Sequence, residues 1–147
     1  MAKSVRRSTR ALRRAFMRLH IALYRLSGGA LGSRFASRSF LLLTTIGRKS
    51  GRERVTPIFY IPDAGRFILI ASNWGAASDP IWWLNLQAHP QAKVRIGRNH
   101  LAVVAQLADG EERARLWLSV TSRYIEFARY QQRVTREIPV VILTPVR

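Results

Sequence analysis

A chain of 147 residues with no cysteine allows one domain with a sizeable core, and it excludes a disulfide framework, thiol chemistry and Cys-ligated metal centres. Its hydrophobic fraction of 48% and charged fraction of 22% are those of a globular chain and exclude wholesale disorder. The unusual quantity is charge: 25 Lys and Arg against 8 Asp and Glu leave +17 at pH 7, which points to anionic partners such as nucleic acid or an acidic membrane surface.

The excess starts at the N-terminus. Residues 1–38 hold ten cations (Lys3, Arg6, Arg7, Arg10, Arg13, Arg14, Arg18, Arg25, Arg34 and Arg38) and no acid, so they read as a basic arm, with the domain proper at 39–147. On a helix turning about 100° per residue, Val5, Leu12, Phe16, Leu19, Leu23 and Leu26 fall in a sector of roughly 80°, with the cations up to Arg25 in a separate sector of roughly 140° nearly opposite. Two readings stay open. Either the Leu stripe packs on the domain and leaves the arginines in water, or the stripe enters the headgroup layer of an anionic membrane while the cations meet phosphate. Nucleic acid is the less suited partner, because base-contacting aromatic and polar residues are not interleaved with the cations. No run of about 18 apolar residues is present to span a bilayer.

Ser27 to Ser33, rich in Gly and Ser, breaks the helix and reads as a hinge. Residues 40–46, 54–61 and 66–72 are short β-branched apolar runs that predict strands, the last two joined by the turn residues Pro62-Asp63-Ala64-Gly65. Ser78-Asp79-Pro80 predicts a capped helix start and His89-Pro90 its end. Residues 93–96 and 100–107 bracket Gly97-Arg98-Asn99 as a hairpin. Asp109, with Glu112 as the reciprocal cap, opens a helix whose apolar face is Leu116, Val120, Tyr124 and Phe127. Residues 138–144 make a last strand, with Pro139 at an edge or bulge. About six short, mostly antiparallel strands with a few helices predict an α+β chain built on a small closed or partly open barrel.

Chemistry concentrates in three places. Gly47-Arg48-Lys49-Ser50-Gly51-Arg52-Glu53-Arg54 joins two strands and carries four cations and one acid. It lacks the Walker spacing and the following helix, yet its glycines and its Arg and Lys donors suit phosphate or carboxylate. Ala71-Ser72-Asn73-Trp74-Gly75 and Pro80-Ile81-Trp82-Trp83-Leu84-Asn85 combine flat apolar walls with amide and hydroxyl groups, as a heterocycle requires. Tyr124, Phe127 and Tyr130 recur along the last helix, a pattern shared by core packing and by a pocket wall. The three histidines are scattered, no metal-ligand spacing exists, and neither a nucleophile elbow nor a glycosidase-like acid pair can be read. A cationic clamp with aromatic walls and no evident acid, base or nucleophile suits a bound cofactor that carries the reactivity itself.

LLLTTIGRKSGRERVTPIFY (41–60), ASNWG followed by DPIWWLNLQAHP (71–90), EERARLW (111–117) and REIPVVIL (136–143) together resemble the deazaflavin-dependent nitroreductases of actinobacteria. The resemblance implies a split β-barrel that uses reduced coenzyme F420, with FMN the alternative in related barrels. It implies that Arg48, Lys49, Ser50 and Arg54 grip the cofactor's phosphate and oligoglutamate tail. Val55, Thr56, Pro57, Ile58 and Phe59 would line the ring, Ile70, Ala71, Ser72 and Asn73 would face it, Ile81, Trp82, Trp83, Leu84 and Asn85 would close the other side, and Phe127 would touch it. Ser72 is expected to orient the reacting face. Phe59, Trp74, Tyr124 and Tyr130 would border a lipophilic acceptor such as a quinone or nitro compound. The chain departs from the family's nitroimidazole reducers at Asn73-Trp74, where they place Lys-Gly, and at Phe59, where they place an aromatic hydroxyl, which weighs against nitroimidazoles. The basic helix implies a cytoplasmic protein held peripherally on the inner face of the membrane. The rival reading is a non-catalytic carrier of a lipid or an acidic heterocycle.

Overall fold

The structure is a computed structural model that describes residues 2–29, 34–35 and 38–147, apart from the side chains of 2–8 and 34–35. In chain order it contains α1 (Ala2–Leu26), β1 (Arg34–Phe35), β2 (Arg38–Ile46), β3 (Glu53–Phe59), β4 (Ile61–Asp63), β5 (Arg66–Ile70), a 3-10 turn (Asn73–Gly75), α2 (Ile81–Ala88), β6 (Gln91–Ile96), β7 (Asn99–Leu107), α3 (Gly110–Arg123), α4 (Ile125–Arg133) and β8 (Val140–Pro145). All strand pairs are antiparallel. The order β1-β2-β6-β7-β8-β5-β4, with β3 on β2, curls into a split barrel of the α+β class.

The single run expected at 54–61 is two strands. Phe40↔Phe59 ends the pairing of β3 with β2, and Ile61↔Ile68 begins that of β4 with β5. Tyr60 between them donates its N–H to Ser39 O at 3.0 Å. The chain changes sheet neighbour at this corner, and β3 pairs with no described strand except β2.

Alternation sets two cores. Leu69 of β5, Ala71 just after it, and Val141 and Leu143 of β8 point into the barrel with Leu41, Leu43, Val94, Val103 and Trp83. Ile68, Ile70, Val140 and Ile142 point the other way, under Leu116 and Val120 of α3 and Phe127 of α4. Both faces of these two strands are therefore buried, which is why they read as continuous apolar runs. β8 lies between β7 and β5, so Pro139 is not at an edge; it stands just before the strand, where its carbonyl accepts the Ala71 N–H at 2.9 Å.

Three local expectations are corrected. Neither Ser78 nor Asp79 caps α2, whose N-cap is Pro80 without a side-chain bond, because Asp79 is drawn to Arg136. Asp109 is the N-cap of α3 by position but makes no side-chain cap bond, and Glu112 pairs with Arg66 instead. The last helix is two, broken at Tyr124 (φ −131°, ψ 84°). α3 is fastened to the β4–β5 turn by Asp63, which accepts from Arg66 Nη2 at 2.7 Å and from both Nη atoms of Arg115 at 3.1 and 3.2 Å. These bonds hold the Asp63 carboxyl at about 2, below the usual carboxylate value.

The Leu stripe does not pack on the domain; the arm docks by another side of the helix. Tyr24 is fully buried, its hydroxyl accepting the Gly97 N–H at 2.8 Å and facing the carbonyls of Arg95 at 3.0 Å and Phe40 at 3.3 Å. Burial pushes its phenol up. Gly29 lies so close to the β6–β7 turn that a Cβ would come 2.3 Å from Gly97 Cα, so the first part of the expected hinge is packed down; residues 30–33 of that hinge lie outside the described residues. The docked side, marked by His20, Ile21 and Tyr24, is roughly 120° around the helix from the Leu stripe. Leu12, Phe16, Leu19, Leu23 and Leu26 remain exposed, from 40% at Leu23 to 87% at Leu26. No helix among the described residues is long and apolar enough to cross a membrane.

Candidate functional site

The glycine-bounded loop between β2 and β3 is closed by Gly47 N–H to Arg52 O and Gly51 N–H to Gly47 O, both 2.8 Å. Ser50 Oγ accepts the Arg52 N–H at 3.2 Å. With its backbone tied, the loop turns Arg48, Lys49, Arg52 and Arg54 into solvent. Among the described residues no carboxylate lies within ion-pair distance of these four, because the loop's own acid, Glu53, faces Lys93 across the sheet at 3.4 Å. The expected cationic residues are thus gathered and left without counter-charge. α2 fixes the loop from behind: buried Asn85 accepts the Arg48 N–H through Oδ1 and donates through Nδ2 to Thr45 Oγ1, each at 3.1 Å. Asn85 is therefore a bracket with both ends of its amide engaged, rather than a surface for a ligand.

A second wall follows β5. Ser72 is nearly buried, at 8% exposure, and its hydroxyl has no hydrogen-bond partner among the described residues. Asn73 Nδ2 donates to Ser78 O at 3.1 Å, while Trp74 stands 77% exposed at positive φ (58°). On α2, Ile81 is exposed and Trp82 and Leu84 are half-buried. Trp83, Ile58 and Ala71 lie in the barrel core, and Ile70 and Phe127 in the core under the helices, so these five support the walls from beneath and do not form the open surface. Val55, Thr56, Pro57 and Phe59 are half-buried along β3, whose outer edge faces no described strand.

The third part is a row of rings. Phe16, His20, Phe40, Phe59, Tyr124, Phe127 and Tyr130 follow one another at centroid distances of 6.4, 5.3, 6.2, 4.9, 6.4 and 6.0 Å, from the exposed side of α1 to the 3-10 turn. A cavity of about 180 Å³ opens beside it, lined by Ser39, Phe59, Tyr60, Ile61, Pro62, Arg123 and Tyr124. Arg38, the last cation of the basic arm by sequence, begins β2 and lies over the Phe59 and Tyr124 rings at 5.2 and 4.9 Å, paired with Glu126. Asn85 as a bracket, Tyr24 as an anchor, Arg38 and Arg136 were not legible in these roles, because each acts on partners distant in sequence.

A split barrel that gathers four exposed cations without counter-charge on one loop, with aromatic side chains nearby and no evident acid–base or nucleophile set, is suited to a flat, anionic cofactor. The sequence matches the F420H(2)-dependent quinone reductase family over residues 16–145, and the chain belongs to that family of oxidoreductases. The F420H(2)-dependent quinone reductase Rv1261c of Mycobacterium tuberculosis is 35% identical over 132 residues, 87% of this chain and 89% of that one. Rv3178 of the same organism is 41% identical over 105 residues, 71% and 88% of the two chains. Among solved structures, the F420-H2 dependent reductase FDR-A aligns with a TM-score of 0.64 at 34% identity, covering 71% of this chain and 92% of that one. A chain solved as a domain-swapped dimer aligns at 0.68 with 30% identity, covering 92% and 98%.

Family membership makes coenzyme F420 the cofactor. The donor set fits it: four exposed cations without counter-charge suit a multiply anionic tail, and the exposed Trp74 and Ile81 suit a flat ring.

Proposed function

We propose that the protein carries a hydride from reduced F420 to a lipophilic quinone at the surface of an anionic membrane. The carrying observation is the β2–β3 loop, which displays Arg48, Lys49, Arg52 and Arg54 with no carboxylate near them among the described residues. Arg48, Lys49, Ser50 and Arg54 hold the anionic tail, and Asn85 keeps the loop in place for it. When bound, reduced F420 supplies the hydride; the chain's part is orientation and exclusion of water. Ser72 Oγ, which has no hydrogen-bond partner among the described residues, donates toward the ring. Ile81, Trp82 and Trp74 border it, and Phe59, Tyr124 and Tyr130 offer the acceptor an apolar bed.

Membrane attachment is supported by the exposed stripe on α1. Leu12, Phe16, Leu19, Leu23 and Leu26 face away from the barrel, and the exposed Arg10, Arg13, Arg14 and Arg18 are on the same helix. A stripe that the barrel does not cover, on a helix whose opposite side is cationic, suits the headgroup layer of the inner face of a cytoplasmic membrane. The test of the enzyme reading is loss of F420H2 absorbance on adding menadione to purified protein. Tight binding of F420 with no acceptor-dependent oxidation would leave the carrier reading standing instead.

A further inference from the structure

We propose that Arg136 is the positioning residue of this site, holding the loop from Ala71 to Ala76 in its ligand-facing shape before any cofactor arrives; the inference rests on the functional reading above, which assigns that loop to the ring. After β5 the chain passes through three successive residues in the left-handed region, Asn73 (φ 47°), Trp74 (φ 58°) and Gly75 (φ 77°). Glycine accepts that region freely, asparagine tolerates it, and a bulky indole is poorly suited to it. Such a conformation persists where the surroundings over-determine it.

Bonds within the segment are few: Gly75 N–H to Ser72 O at 2.9 Å, Ala76 N–H to Asn73 O at 3.0 Å, and the Asn73 amide to Ser78 O. One guanidinium binds three points of the backbone, together with Asp79. Arg136 Nη1 donates to Ala71 O at 3.2 Å and Asp79 Oδ1 at 2.8 Å. Nη2 donates to Ser72 O at 2.8 Å and Ala76 O at 3.0 Å, and Nε to Ala76 O at 3.2 Å. These contacts match the five N–H donors that a guanidinium presents in its planar fork. Lysine, with three donors on one atom, cannot span both ends of the loop.

Arg136 is itself held. Gln131 on α4 donates to the Arg136 carbonyl and accepts the Ile138 N–H, both at 2.8 Å. Its neighbour Tyr130 lies against the loop, where a Cβ on Gly75 would come 3.0 Å from the ring. One side chain therefore joins the segment bearing Ser72 and Trp74 to the start of α2 through Asp79, while its backbone joins that segment to α4. A purely structural clamp would account for the held backbone but not for an indole held out in water upon it; a rigid wall for a flat ligand accounts for both.

The test compares wild type with Arg136→Lys, with Asp79→Asn as the milder variant should Arg136→Lys not fold. Three measurements are needed: acrylamide quenching of the Trp74 emission without cofactor, taken as the difference from the same protein carrying Trp74→Phe; the F420 dissociation constant; and kcat with menadione. Release of the loop should alter the Trp74 quenching and lower kcat by about tenfold or more, because small misplacements of a reacting face are costly. F420 affinity should fall by less than about threefold, since the tail grip lies on another loop. Asp79→Asn should move the quenching and kcat in the same direction by less. A folded Arg136→Lys with unchanged quenching and kcat would overturn the proposal, as would an affinity loss as large as the loss in kcat. If wild type itself neither binds F420 nor reduces menadione, the functional reading fails, and the quenching comparison still decides whether Arg136 sets the loop.

Discussion

Replacing Asn85 by alanine removes both bonds of the amide that joins α2 to the cationic loop. Thr45 Oγ1, on a residue 1% exposed, and the half-buried Arg48 N–H each lose their partner. A buried polar group left unpaired costs about 1–3 kcal/mol, with the Arg48 side at the low end because water reaches it, so the variant should lose about 2–4 kcal/mol. In a chain of this size that lowers Tm by about 5–15 °C. Thr45→Val removes only the Thr45 share, so the double variant should be less destabilised than the two singles combined, by about 1 kcal/mol. The same change frees the Arg48 backbone, and ordering it again on binding should weaken F420 by about five- to thirtyfold. Urea unfolding of the four proteins and fluorescence titration of the cofactor read both effects. Additive destabilisation with unchanged F420 affinity would refute the view that α2 sets the loop through Asn85.

Tyr24→Phe leaves the Gly97 N–H without its acceptor and should cost about 1–2 kcal/mol, read as faster hydrogen exchange along α1 with the barrel strands unaffected. Asp63→Asn should cost about 1–2 kcal/mol at pH 7. Because the folded carboxyl is held at about 2, that contribution is complete above the ordinary carboxylate value near 3.8 and is lost as pH falls through 2, so the gap from wild type in urea midpoints should close over that window. Leu19→Glu with Leu23→Glu places acids on the exposed stripe without touching Tyr24; sedimentation with anionic vesicles should fall sharply while turnover of soluble menadione persists, and undiminished sedimentation would put the lipid contact elsewhere.

How far the sequence could be read depended on whether a residue's partner is near in the chain. The strands around 40–46, 66–70 and 140–144 are apolar runs whose burial needs no partner to be named, and the one around 100–107, with only Val103 buried, is marked instead by its turn and β-branched residues. β1 and β4, of two and three residues, are too short for a repeated alternation to show. The corner at Tyr60 leaves no mark in composition, because a strand that changes neighbour keeps its β-branched character. Local capping patterns misled at Asp79 and Glu112, since each carboxylate found an arginine from a distant strand or loop. The arm shows the same limit: periodicity reveals that Leu12, Phe16, Leu19, Leu23 and Leu26 share a face, but not what covers it, and the contact with the barrel is made by Tyr24 on another side. Within the site, the cation loop and the Trp-rich segments were legible by residue type. Asn85 looked like a ligand group because an amide beside tryptophans gives no sign that both its ends are already bonded.

The most direct measurement is a titration of F420, of F420 with its phosphate and glutamate tail removed, and of FMN into wild type and the Lys49→Ala/Arg54→Ala double variant at several salt concentrations. If the loop cations seize the tail, wild type should bind intact F420 best, the double variant should lose about 2 kcal/mol, roughly thirtyfold, and that loss should shrink in high salt and nearly vanish for the trimmed cofactor. Equal affinities of both proteins for intact F420 at low salt, or a preference for FMN, would contradict it.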